Sequence, residues 1–455
     1  DSSTPSRITS ENTKSISVRS TCPEKECPTS LYISEMEPRK LKLELIFFYS
    51  PLQDFQVLVE SRRPLLESLE ERFRLSIIPY NKISTDHFAD PEKIYIPFIA
   101  SGGCEEIFQS YAFSLPLPLI FLYDHMHNSL PAALELATYF SEGKLNVPMI
   151  FSENELKPET MEVFYRMQLT VRTLKKSYIA LIGGPSPWLL SNYVDFEALT
   201  RMFGMHFQKI GIESLVDNFK QHTKLSRENA TLFQKILKQA TQLTNCTRED
   251  VYDSVRMYQA LDDLMVYNSC NALTVKCFDL IKECNVTACT ALALFNQSGI
   301  PAACEGDIPS LLSMMFAAGL TGNPVFMANP IDFDRDKNTI DVAHCSIPFS
   351  MADNYSFNSH FESGISVGVE GNVKPGEAYT LVKWIGKKLE RFFVAQGVTV
   401  DSEHTDYKCR TQMKLRLEKP LDDFHLNGMG NHVLVVKGMH QKAFTDWNQY
   451  MIYRR

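Results

Sequence analysis

The sequence predicts an α/β protein in which two units of alternating strands and helices precede a C-terminal antiparallel β-rich domain. Three observations carry that expectation. At 455 residues the chain exceeds what one hydrophobic core supports, so several domains are expected. From residue 41 to residue 348 short apolar runs alternate with helix-like stretches, the pattern of parallel sheets with helices on their faces. Beyond residue 349 the texture changes to short strands punctuated by glycine, such as 365–369, 379–383 and 413–417.

Taken in order, residues 1–40 are polar, rich in Ser and Thr and interrupted by Pro, and read as a flexible leader without an apolar signal-peptide core. Residues 41–175 form the first unit. It opens on the buried strand 41–50, followed by an amphipathic stretch at 55–73 and further apolar runs at 75–79, 94–100 and 118–123. Two of these runs end in polar loops, Ser101-Gly102-Gly103 and Asp124 to Ser129, at the carboxyl ends of strands where ligands of parallel sheets collect. A helix at 130–140 follows, for which Asn128 is a candidate cap. Residues 176–348 form the second unit, opened by the strand 178–182 and the turn Gly183-Gly184-Pro185-Ser186-Pro187. That turn could cradle a phosphate, but it matches neither glycine-rich nucleotide motif and its prolines lack amide donors. A strand at 207–210, helical periodicity at 214–240, a strand or strand end at 275–278 and helices at 291–296 and 309–320 complete the unit. Residues 349–455 are the β-rich domain, and no internal repeat is present.

Composition excludes several classes. The charged fraction of 22% and the hydrophobic fraction of 44% are ordinary globular values, and the net charge of -8 with no basic block argues against nucleic-acid binding. No apolar run approaches the roughly 20 residues needed to span a bilayer. Eleven cysteines, an odd number spread through apolar segments, suit reduced thiols in a cytoplasmic protein. Cys22 and Cys27 lack the second pair a zinc site requires.

Three groups of residues resemble the family of L-fucose isomerase and L-arabinose isomerase, in the family's order and across residues 100 to 435. They are Ser101 to Glu106 with Asn128 to Glu135; Lys276 to Asp279 with Ala302 to Met314 and His344 to Pro348; and His360 to Gly364 with Cys409 to Gln412 and Gly430 to His432. The resemblance implies Rossmann-like N-terminal and central α/β domains followed by a C-terminal antiparallel β-barrel. It also implies Mn²⁺ or another divalent cation, a monosaccharide substrate, and aldose-ketose isomerisation through a cis-enediol. A homo-oligomer is implied as well, trimer or hexamer, in which the N-terminal domain of one subunit closes over its neighbour's site.

The chemistry points to the turn Cys304-Glu305-Gly306-Asp307. Hard carboxylate oxygens with one or two imidazoles suit Mn²⁺, and Gly306 lets the backbone approach a ligand closely. Glu305 and Asp307 are therefore the candidate catalytic residues, and Asp307, His432 and His344 the candidate metal ligands. Asp307 is equally a candidate cap for the helix beginning at Ile308-Pro309. Glu105, His127, Asn128 and His360 are the candidate substrate contacts, and Trp188 and Trp384 are each either core or sugar-stacking residues. The family uses a further carboxylate before this turn, but the helix read as its counterpart offers Cys289 and no acid. The alternative is accordingly a sugar-binding relative without catalysis or with altered chemistry.

Overall fold

The computed structural model describes residues 40–84, 87–143, 147, 149–151, 156–401, 404–420 and 429–452. The expected leader, with Cys22 and Cys27, lies outside the described residues except for Lys40. Among the described residues no helix is long and apolar enough to cross a membrane.

The first sheet is parallel and holds β1 (Lys42–Phe48), β2 (Arg74–Pro79), β3 (Lys93–Ile99), β4 (Phe121–Tyr123) and β5 (Met149–Phe151) in the order β2-β1-β3-β4-β5. Strands covered on both faces read as continuous apolar runs, and β1 is buried from Leu43 to Phe48. The second sheet is also parallel. It holds β6 (Tyr178–Ile182), β7 (His206–Ile210), β9 (Ala272–Val275) and β10 (Ala302–Ala303) in the order β10-β9-β6-β7, while β8 (Leu243–Thr244) joins a separate three-stranded sheet. Both parallel sheets reverse their strand order beside their first strand, which opens a crevice at the carboxyl ends there.

A third, antiparallel sheet contains β11 (Val325–Asp334), β12 (Thr339–His344), β15 (Ala378–Ile385), β16 (Arg391–Val400), β17 (Thr411–Leu417) and β18 (Val433–Lys437). Each strand pairs with two others, so the six close in the ring β11-β12-β17-β16-β15-β18. Two of its strands, β11 and β12, precede residue 349. The remaining strands, β13 (Asn354–Asn358) and β14 (Gly368–Asn372), pair with each other, and β13 also pairs with β8.

The helix Ile308–Thr321 links the second sheet to the ring and is buried from Ile308 to Leu320, which explains its uniform hydrophobicity. Its Ser313 hydroxyl donates to Trp384 O on β15 at 3.1 Å and accepts from Trp384 N at 3.0 Å. Against the helix Pro158–Leu174 it comes so close that a Cβ on Gly319 would lie 2.6 Å from the Thr170 hydroxyl.

Several expected boundaries shift for local reasons. The stretch 55–73 is two helices, Phe55–Glu60 and Arg63–Arg72, the second with proline in its first turn. The periodicity at 214–240 is likewise broken into Ile212–Gln221 and Arg227–Gln239, with Ser226 capping the second. Residues 275–278 hold the end of a strand rather than a strand of their own: β9 ends at Val275, and Cys277 opens the helix Cys277–Cys284. The expected strand at 365–369 is displaced to Gly368–Asn372.

Candidate metal centre

The turn after β10 is built to present Glu305. Glu305 and Gly306 both adopt left-handed backbone, with φ of 61° and 70°, a region that costs an L residue about 1–2 kcal/mol. The conformation is held from several sides. Ser186 N donates to Glu305 O at 3.0 Å and Gly306 N to Val275 O at 3.1 Å. The buried Asn192 side chain donates to Gly306 O at 2.7 Å and accepts from Ile308 N at 2.8 Å. A Cβ on Gly306 would fall 2.1 Å from Gly184 O, so no other residue fits against the turn after β6.

His432, fully buried just before β18, stands between the two carboxylates of this turn. Its Nδ1 lies 2.8 Å from Asp307 Oδ2 and its Nε2 lies 3.3 Å from Glu305 Oε1. His344, the last residue of β12, places its ring 5.7 Å from that of His432, and its Nδ1 lies 3.2 Å from Ser346 Oγ. The tautomer that donates Nδ1–H to Ser346 leaves the His344 Nε2 lone pair for a ligand. One donor atom each from Glu305, His344 and His432 lies within 4.8 Å of the others. Two imidazoles and a carboxylate suit a divalent transition ion and leave coordination positions for a ligand.

Asp307 sits one layer back. Its Oδ1 accepts from Ser310 N at 2.8 Å and caps the helix Ile308–Thr321. Its Oδ2 accepts from His432 and faces the buried Lys383 ammonium at 3.4 Å, while Lys383 also bonds Ser310. The cap expected from the sequence and a bond to His432 coexist on the two oxygens of one carboxylate. Among the described residues Asp307 contributes no atom to the donor group; its Oδ2 bonds His432 Nδ1 instead.

Electrostatics follow this layering. Burial opposes the charge on Asp307, yet the Lys383 charge and the His432 bond hold its carboxyl well below the usual range. Burial likewise opposes ionisation of Glu305, but His432, His344 and the Trp188 indole outweigh it and lower its pKa. In His432 the two carboxylates overcome burial and raise the imidazole pKa. His344 is pushed down to about 3 by burial and by the His432 charge, so it is neutral near pH 7 and free to ligate.

The donor group opens on a cavity of about 640 Å³, ample for a small molecule. Its lining includes Glu305, His344 and His360, with Trp188, Phe278 and Glu362. His360 Nδ1 lies 2.9 Å from Ser363 Oγ, its ring packs on Phe278, and burial with the Arg410 charge lowers its pKa to about 4. Trp188 is committed by its indole nitrogen, which donates to Glu305 Oε2 at 2.6 Å. No acid comes from the helix Cys289–Ser298; instead Cys277, Cys289, Cys304, Cys345 and Cys409 all line the cavity. Glu362 is its other acidic lining residue, and burial together with the Glu305 charge raises its carboxyl pKa.

Glu105, His127 and Asn128 are not among the lining residues. They lie at the carboxyl end of the first sheet, where Gly102 N donates to His127 O at 2.8 Å. His127 and Asn128 are both left-handed, and Asn128 precedes the helix Ser129–Glu142 without a side-chain cap bond, contrary to the capping reading. The buried pair Arg62 and Asp124, 2.7 Å apart, anchors this loop. A larger cavity of about 810 Å³ opens on the other face of the metal turn, beside the Gly183-Gly184 turn and the ends of β6, β7 and β9.

Sequence reasoning missed Lys383, Asn192 and Glu362. Lys383 carried a signal as a single cation within the apolar strand β15, and Glu362 lay inside the His360 to Gly364 motif.

No protein-family model matches the chain. A sulfoquinovose isomerase of Clostridium sp. (strain MSTE9) is 29% identical over 228 residues, 49% of this chain and 48% of that protein. Sulfoquinovose isomerases of Priestia aryabhattai and Priestia megaterium (strain ATCC 12872 / QMB1551) are each 24% identical over 211 residues, 46% of this chain and 45% of each relative. The chain thus spans about half the length of the curated relatives it matches. That similarity supports the kinship with the L-fucose and L-arabinose isomerase superfamily read from the motifs at Lys276 to Met314 and beyond.

Proposed function

We propose that the chain is a metal-dependent aldose-ketose isomerase that acts on a monosaccharide through a cis-enediol. The observation that carries this reading is the convergence of Glu305, His344 and the fully buried His432, the first two of which line a sugar-sized cavity. Mn²⁺ or another divalent cation, when bound, supplies Lewis-acid stabilisation of the oxygen charge that develops as a proton leaves the neighbouring carbon. Glu305 and the two imidazoles hold the site open toward the cavity, and Asp307 fixes the orientation of His432. Glu362, with its raised carboxyl pKa, is placed to carry a proton between adjacent carbons. His360 and Trp188 border the sugar.

The loops bearing Glu105, His127 and Asn128 would then line the site of a neighbouring subunit in a homo-oligomer, trimer or hexamer, since they do not line the site of their own chain. The relatives are named for sulfoquinovose, so that sugar heads the substrate panel.

The test is exchange of the C2 proton in D₂O, with sulfoquinovose and a panel of aldoses and ketoses, at known metal content. Metal-dependent deuterium incorporation is expected with at least one sugar. Absence of both bound metal and exchange would defeat the reading. Exchange-free sugar binding would favour the second reading, a relative without catalysis or with altered chemistry, which the thiol-rich cavity wall supports.

A further inference from the structure

We propose that Cys277 and Cys304 form a redox dithiol that closes into an intramolecular disulfide in the wall of the cavity. Their Sγ atoms lie 2.8 Å apart, and although both residues are buried, both line the 640 Å³ space. A small oxidant therefore reaches them without unfolding of the chain. Topology fixes the pair: Cys304 follows β10, Cys277 opens the helix after β9, and β9 and β10 are paired parallel neighbours.

The step balances with hydrogen peroxide as the oxidant. Peroxide oxidises one thiol to a sulfenic acid and releases water. The second sulfur then displaces hydroxide, which leaves as water with that thiol's proton. Both sulfurs are oxidised by one electron each and the peroxide oxygens are reduced. Cys345 and Cys409 also hydrogen-bond each other at this cavity and are the internal competitors. The cross-link would tie the start of the Cys277–Cys284 helix to the residue before Glu305. It stands independently of the metal and isomerase readings, because its measurement requires neither.

The experiment treats the reduced full chain with hydrogen peroxide, alkylates the remaining thiols, and maps cross-linked peptides by mass spectrometry. A peptide pair joined through Cys277 and Cys304 is expected, and dithiothreitol should abolish it. The same cross-link should persist in Cys345→Ala. Full alkylation of Cys277 and Cys304 after oxidation would overturn the proposal, and so would a Cys345 to Cys409 bond formed while that pair stays free.

Discussion

Glu305 and Asp307 occupy neighbouring positions on one turn but do different work, because the left-handed backbone at Glu305 and Gly306 turns their side chains to opposite nitrogens of His432. On the proposed reading Asp307 acts through the imidazole. Asp307→Asn should therefore weaken Mn²⁺ binding by about 10–100-fold, the usual cost of losing a carboxylate behind a metal-bound histidine. Calorimetric titration reads this directly, and an unchanged affinity would show that His432 needs no such support. Metal affinity should also depend on pH with a definite sign. The groups facing His432 are Asp307, Glu305 and His344, with Lys383 behind Asp307. Burial lowers the His432 pKa, but the two carboxylates outweigh it, so the ion-free imidazole keeps its proton above its ordinary 6.5. A metal must displace that proton, so affinity should rise with pH across this range and binding should release protons. Affinity that is flat in pH from 6 to 9 would contradict the assignment of His432 as ligand. At this scale the sequence was partly legible: His344 and His432 were expected as metal ligands and lie in the donor group, whereas the third expected ligand was Asp307 and the carboxylate in the group is that of Glu305, expected as a catalytic residue. The layering of Asp307 behind His432 was not, because a cap and a metal support use the same residue at the same position and differ only in three dimensions.

At the scale of elements, the metal turn depends on packing against another loop. Gly306 lies against Gly184 with no room for a side chain, whereas Gly319 touches Thr170 well away from the donor atoms. Both Gly306→Ala and Gly319→Ala should destabilise the fold, each by on the order of 1–3 kcal/mol through overpacking. Only Gly306→Ala should also weaken Mn²⁺ binding in the fraction that remains folded. Thermal unfolding together with metal titration separates the two effects, and equal metal affinity in both variants would deny the turn its role. Elements with a strong single period were readable, among them β1, β6 and the apolar helix Ile308–Thr321. The break at residues 222–226 was not, because amphipathic periodicity continues across it and only the Ser226 cap marks the restart.

Across the whole molecule, the three donors come from widely separated stretches of chain: Glu305 from the turn after β10 of the second sheet, His344 from the end of β12 in the antiparallel ring, and His432 from the residue before β18. The change from alternating to glycine-punctuated texture made the two kinds of sheet legible. Where the ring begins was hidden, because β11 and β12 follow a helix as strands of a parallel sheet would. The central claim is that one ion is held jointly by these separate parts. Its most direct test is calorimetric titration of Mn²⁺ into the full chain and into His344→Ala, whose altered residue lies 39 positions from Glu305 in the sequence. Stoichiometric binding is expected for the unaltered chain, with affinity lowered by more than about 100-fold in the variant, beyond the loss of a supporting residue. Undiminished binding by His344→Ala, or no binding by the unaltered chain, would contradict the account.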